Sequence, residues 1–163
     1  MLIIDDIDLH MPLAGSIERA ACPPGFFLAW CANLQMLSDD FSRRHADALV
    51  RLRMRDLTPG EFLITCGDGR FGTEELNARG RAFADSYYQV QYLNDFAATF
   101  DKNGPDDEHI YDVEDNWANY DKLAGVLTRR LYGSQSSPQA STGRKPRNRA
   151  ASWLRVITGG RKD

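Results

Sequence analysis

The residues equipped for chemistry are few and scattered. His10 follows Asp5, Asp6 and Asp8. Carboxylates beside an imidazole are the groups that hold a divalent metal or pass protons. Joined by Asp68, they make up a hydrolase-like reading: general acid–base work assisted by a metal. Their spacing matches no metal motif. The plainer reading has Asp5 and Asp6 capping a helix or pairing with arginines, and His10 as a hydrogen-bonded wall residue. His45 falls on an apolar helical stripe and His109 in a polar loop, with no HExxH-like pair. Cys22, Cys31 and Cys66 form no CxxC motif, which fits reduced thiols in a cytosolic protein that pack as small hydrophobes. Gly67-Asp68-Gly69-Arg70-Phe71-Gly72 lacks the lysine and hydroxyl of a phosphate-cradling loop and follows a helix, so it is expected to be a connector. No catalytic residue, metal ligand or cofactor is assigned.

The stronger signal is charge. Asp106, Asp107, Glu108, Asp112, Glu114 and Asp115 form the densest acidic run, with Tyr111 inside it and Trp117 beside it. A solvated loop with favourable helix-start charges explains the acids alone. Aromatics within an acidic rim suit a docking surface for a basic protein, because acids steer association and aromatics supply burial. The expected partner-binding residues are therefore Asp106, Asp107, Glu108, Tyr111, Asp112, Glu114 and Asp115.

The whole chain of 163 residues carries a net charge of −3. Residues 134–163 hold seven basic residues and one acid, so residues 1–133 carry −9. An acidic body disfavours nucleic acid and favours basic partners. The basic stretch is expected to pair with that body or lie solvated. A regulator that touches nucleic acid through it is the alternative. The longest unbroken apolar run, Phe26 to Ala32, is too short for a bilayer span, and the acidic N-terminus does not read as a secretory signal. With 42% hydrophobic and 26% charged residues, the composition is that of one globular domain able to bury a core.

Periodicity predicts a mainly α fold of five or six helices with at most one short N-terminal strand. Residues 1–24 read as irregular apart from a strand at Leu2-Ile3-Ile4. A central helix starts after Pro24, since Phe26, Phe27, Trp30, Leu34 and Leu37 recur at helical period. Ser38 caps a second helix whose inner face is Phe41, His45, Ala48, Leu49 and Leu52, with Arg43, Arg44, Arg51, Arg53 and Arg55 on and near the outer face as a solvated, carboxylate-paired set. Thr58-Pro59-Gly60-Glu61 is a capping box with proline at the first helical position. Thr73 caps a further helix, broken near Gly80, and a long helix runs to about Phe100. The last helix spans about Asp115 to Tyr132 and ends at Gly133. Beyond it, 134–163 reads as a flexible basic tail. Trp30, Phe62, Phe83, Tyr87, Trp117 and Tyr120 are expected in the core.

Several segments together resemble a family of small acidic bacterial proteins built on a domain of unknown function. They are Asp5-Asp6 with His10, Phe27-Leu28-Ala29-Trp30, Leu57 to Leu63, Leu76-Asn77, Gly80, Phe83-Ala84, Tyr87-Tyr88, Tyr92-Leu93 and Trp117 to Leu123. The resemblance covers about residues 2–132. Some members stand among genes for secreted polymorphic toxins, which implies an immunity protein: a cytosolic, non-enzymatic inhibitor of a cognate toxin, with no membrane partner. Nuclease toxins tend to be basic because they hold phosphates.

Overall fold

A computed structural model describes residues 2–140, with side chains through Gly133. The chain divides into two units, residues 1–129 and 130–163. The fold is mainly α, and the expected basic tail lies, beyond Ala140, outside the described residues.

The first unit is built around α2, Ile17–Asn33, in which every residue from Ala20 to Ala32 is buried. A helix apolar on all sides belongs in a core. It begins well before the expected start, because Ser16 caps it by accepting from the Arg19 N–H, and Pro23 and Pro24 lie inside it. Interior prolines cost a helix about 3 kcal/mol or more; burial of this long apolar segment outweighs that. The N-terminal segment is likewise helical, α1 running over Ile7–Ala14 between the Asp6 cap and Gly15 at φ +77°. The short N-terminal strand is present as β1, Ile3–Asp6. It has a partner in β2, Arg70–Gly72, from the glycine-rich connector, and the two pair antiparallel with Ile3 opposite Gly72 and Asp6 opposite Arg70.

The helix expected after Ser38 breaks at His45 into α3, Asp39–Arg44, and α4, Ala46–Arg53. The capping box forms as read, and α5, Pro59–Gly67, crosses α2 closely. A Cβ built on Gly25 would lie 2.7 Å from Pro59 O and 2.8 Å from Gly60 Cα, so only glycine permits this backbone approach.

Thr73 caps no helix; it pairs with Leu2 instead, accepting from the Leu2 N–H at 3.3 Å and donating its own N–H to Leu2 O at 2.9 Å. The next helix, α6, Ala78–Tyr87, starts from Asn77, and Gly80 sits in its first turn rather than at a break. The long helix expected to Phe100 is α6, a π-helical turn at Tyr88–Tyr92, and α7, Leu93–Thr99. Both aromatic stripes are used. Phe27 lies at the centre of Trp30, Phe71, Phe83, Tyr88 and Tyr92, with ring centroids 4.7–6.3 Å apart. A 3₁₀ turn, Glu108–Asp112, precedes α8, Trp117–Ala140, which passes through Gly133 instead of ending there. Of the expected core aromatics, Trp30, Phe62, Phe83, Tyr87 and Tyr120 are buried. Trp117 is half-buried beneath the Arg55 guanidinium, 4.7 Å from the ring centroid.

Candidate functional site

Four elements converge on one buried polar chain. Asp5 at the end of β1 and His10 in α1 are both 6% exposed, and His10 Nε2 lies 2.9 Å from Asp5 Oδ1. His10 Nδ1 lies 2.7 Å from the Tyr111 hydroxyl in the 3₁₀ turn. The other Asp5 oxygen accepts from the Tyr88 hydroxyl in the π-helical turn. Burial, with the Asp5 charge nearby, pushes Tyr111 up to about 12 and Tyr88 well above the usual tyrosine value, so both hydroxyls keep their protons at neutral pH. A cleft of about 400 Å³ opens over this chain, and Leu9, Leu13, Gln89, Val90 and Asn94 line its mouth.

The sequence joins Asp5 and His10 as candidates, and the fold does bring them together. Asp6 instead caps α1, its side chain accepting from the Asp8 N–H at 3.0 Å. Asp68 is the left-handed C-cap of α5. Among the described residues no group of three or more His, Cys, Asp and Glu is arranged to hold a metal ion. Cys22 and Cys31 are buried, and burial raises both thiols; Cys66 is half-buried and pushed up to about 11.

On the other side of Tyr111 lies a second, open groove of about 510 Å³, lined in part by Glu18, Arg19, Glu61, Asp112, Glu114 and Asp115. Its floor is a junction of helix starts. Asp115 turns inward over the first turn of α5, accepting from Thr58 Oγ1 at 2.5 Å and from the Gly60 N–H at 3.0 Å. Its pKa is raised by burial, which outweighs the lowering effect of those hydrogen bonds. Arg19 of α2 donates through Nε to Tyr111 O at 2.8 Å and pairs with Asp112.

The seven expected partner-binding residues thus separate. Asp106, Glu108, Asp112 and Glu114 are exposed, whereas Tyr111 is 4% exposed and faces His10 rather than solvent. Asp107 is tied to its own loop, accepting from the Asn103 and His109 N–H groups at 2.9 Å, and these hold its carboxyl below the usual range. Asp112 pairs with Arg19, and its Oδ2 lies 2.8 Å from His109 Nδ1. Glu18 and Glu114 pair with no cation among the described residues, and the Glu61 carboxylate takes only the Thr58 N–H at 2.9 Å. Arg19 and Glu18 have no signal of their own in the sequence, where residues 1–24 read as irregular. Tyr88 is visible there only as part of an aromatic stripe.

Residues 3–113 match the family model described as Domain of unknown function (DUF7832). The chain belongs to that family. No curated protein and no solved structure matches it. The DUF7832 region contains all four members of the buried polar chain and the groove residues through Val113. Glu114, Asp115 and the Trp117 to Leu123 segment lie past its end.

Proposed function

We propose that this DUF7832 protein is a cytosolic immunity protein, a binding protein that neutralises a secreted toxin by covering a basic surface with its acidic groove. One observation carries the reading. In a segment of charge −9, Glu18, Glu61 and Glu114 line the groove beside the Arg19–Asp112 pair, none of the three pairs with a cation among the described residues, and Asp106 and Glu108 extend the exposed acidic surface. Such a field speeds encounter with a basic protein and penalises acidic competitors. The groove's walls are held by helix starts and the Arg19 contacts, so little ordering cost falls on binding. A non-catalytic role is supported by the saturation of the buried chain: both ring nitrogens of His10 and both carboxylate oxygens of Asp5 are already engaged. Among the described residues no helix is long and apolar enough to cross a membrane.

The test is co-expression with the product of the neighbouring reading frame. The expected result is a complex that co-purifies at low and moderate salt and protects cells expressing that product. Charge reversal by Glu18→Lys with Glu114→Lys should weaken the complex and the protection together. A stable chain that neither binds nor protects would end the proposal.

A further inference from the structure

We propose that the cleft beside the first turn of α4 is an anion site for the phosphate monoester of a small organic molecule. Arginines concentrate here although residues 1–133 carry −9. Arg43, Arg44 and Arg51 line a cleft of about 500 Å³ together with His45, Asp47 and Thr65. The three guanidiniums are largely uncommitted. Arg43 pairs with no carboxylate among the described residues. Among the described residues Arg44 and Arg51 each hydrogen-bond only through Nε, toward Asp40 at 2.9 Å and Asp56 at 3.1 Å, and the Arg44 guanidinium also lies over the Phe41 ring; their terminal Nη donors are left open. Both pairs are exposed, and exposed pairs are weak enough to be exchanged for a better anion. Guanidinium groups bind phosphate through paired, charge-assisted N–H donors.

Two further features point to the same place. The start of α4 has no side-chain cap, because His45 at the N-cap position makes no hydrogen bond to the first turn. Its backbone N–H groups and the helix dipole therefore favour an anion there. His45 lines the cleft as a half-buried residue, and its Nε2 has no hydrogen-bond partner among the described residues, so a turn of the ring toward a ligand oxygen would satisfy it. The cleft falls within the roughly 300–1,000 Å³ typical of small-ligand sites, more than a bare phosphate needs, so there is room for an organic group beside Ala46 and Ala48. Among the described residues Asp47 is the one carboxylate on the wall, and it opposes the anion. This inference is independent of the groove and of the immunity reading.

The experiment follows the His45 ring signals of the full chain by NMR during titration with phenyl phosphate, inorganic phosphate and sulfate. The expected result is a saturable shift, tightest for phenyl phosphate. Arg43→Gln with Arg51→Gln should weaken it about tenfold or more, the effect of losing charge-assisted bonds. Asp47→Asn should tighten it. Circular dichroism confirms that each variant is folded. No saturable shift at His45, or a shift that survives in the folded double-arginine variant, would overturn the proposal. Inorganic phosphate binding more tightly than phenyl phosphate would overturn its organic part. Asp47→Asn keeps the test open if the arginine variant fails to fold.

Discussion

His109 and Asp112 sit opposite one another at 2.8 Å on the exposed side of the 3₁₀ turn, and each changes the other's titration. The hydrogen bond that His109 donates to Asp112 raises the imidazole above its ordinary 6.5 and lowers the carboxyl below 3.8. A raised histidine contributes stability fully below 6.5 and loses it as pH rises through its folded pKa. A lowered aspartate contributes above 3.8 and loses it as pH falls through its folded pKa. Both groups are therefore charged and paired between those limits. An NMR titration should place the His109 midpoint above 6.5, and Asp112→Asn should bring it down; an unmoved midpoint would show that the pair does not form. His10 is a different case, because it is buried. Truncation by His10→Ala leaves Asp5 without its imidazole and Tyr111 without an acceptor or donor, a loss of roughly 2–4 kcal/mol in urea unfolding. A loss under about 1 kcal/mol would mean that water replaces the imidazole freely. The aspartates near His10 mark it in the sequence as a hydrogen-bonded wall residue. That Tyr111 is its second partner is not visible there, since Tyr111 is 101 positions away.

Glycines in two helices make opposite predictions about packing. Gly25 in α2 faces the backbone of Pro59 and Gly60, atoms that cannot move aside without parting α2 from α5. Gly25→Ala should destabilise by about 1–3 kcal/mol despite alanine's better helix propensity. Gly125 in α8 meets only the end of the Arg129 side chain, at 3.7 Å. Gly125→Ala should stabilise by about 0.5–1 kcal/mol. Chemical denaturation of both variants checks the sign; if both stabilise, the α2–α5 crossing is looser than described. Element starts with strong local chemistry were legible: the Thr58 box forms with both of its reciprocal bonds. Starts that depend on remote partners were not. Thr73 looks like a cap, yet its backbone N–H and hydroxyl are taken by Leu2, 71 residues earlier. The helix boundary at Pro24 failed for a similar reason, since an interior proline is tolerated where surrounding burial outweighs its lost bond.

Charge divides along the chain, and the consequence can be measured on the molecule as a whole. Every charge after Gly133 lies beyond Ala140, so a chain ending there carries −9 against −3 for the full length. The shortened chain should elute from an anion exchanger at clearly higher salt. Equal elution would mean that the basic stretch does not mask the acidic body, whose own surface would then set the retention.

Composition and periodicity are sums over neighbours. They were enough for a mainly α chain, for the buried aromatic stripes, for the capping box and for an acidic body with a basic extension. Contacts across the chain are of another kind. Asp5 meets Tyr88 over 83 positions, and Asp115 meets Thr58 over 57, because helix crossings and a π-helical turn carry them there. Residue spacing reports which face of a helix is buried but not which neighbour that face meets. So an acidic run that reads as one docking strip becomes, once folded, a helix cap, an ion pair and a wall around a groove to which α2, α5 and the segment before α8 each contribute an acid that pairs with no cation among the described residues.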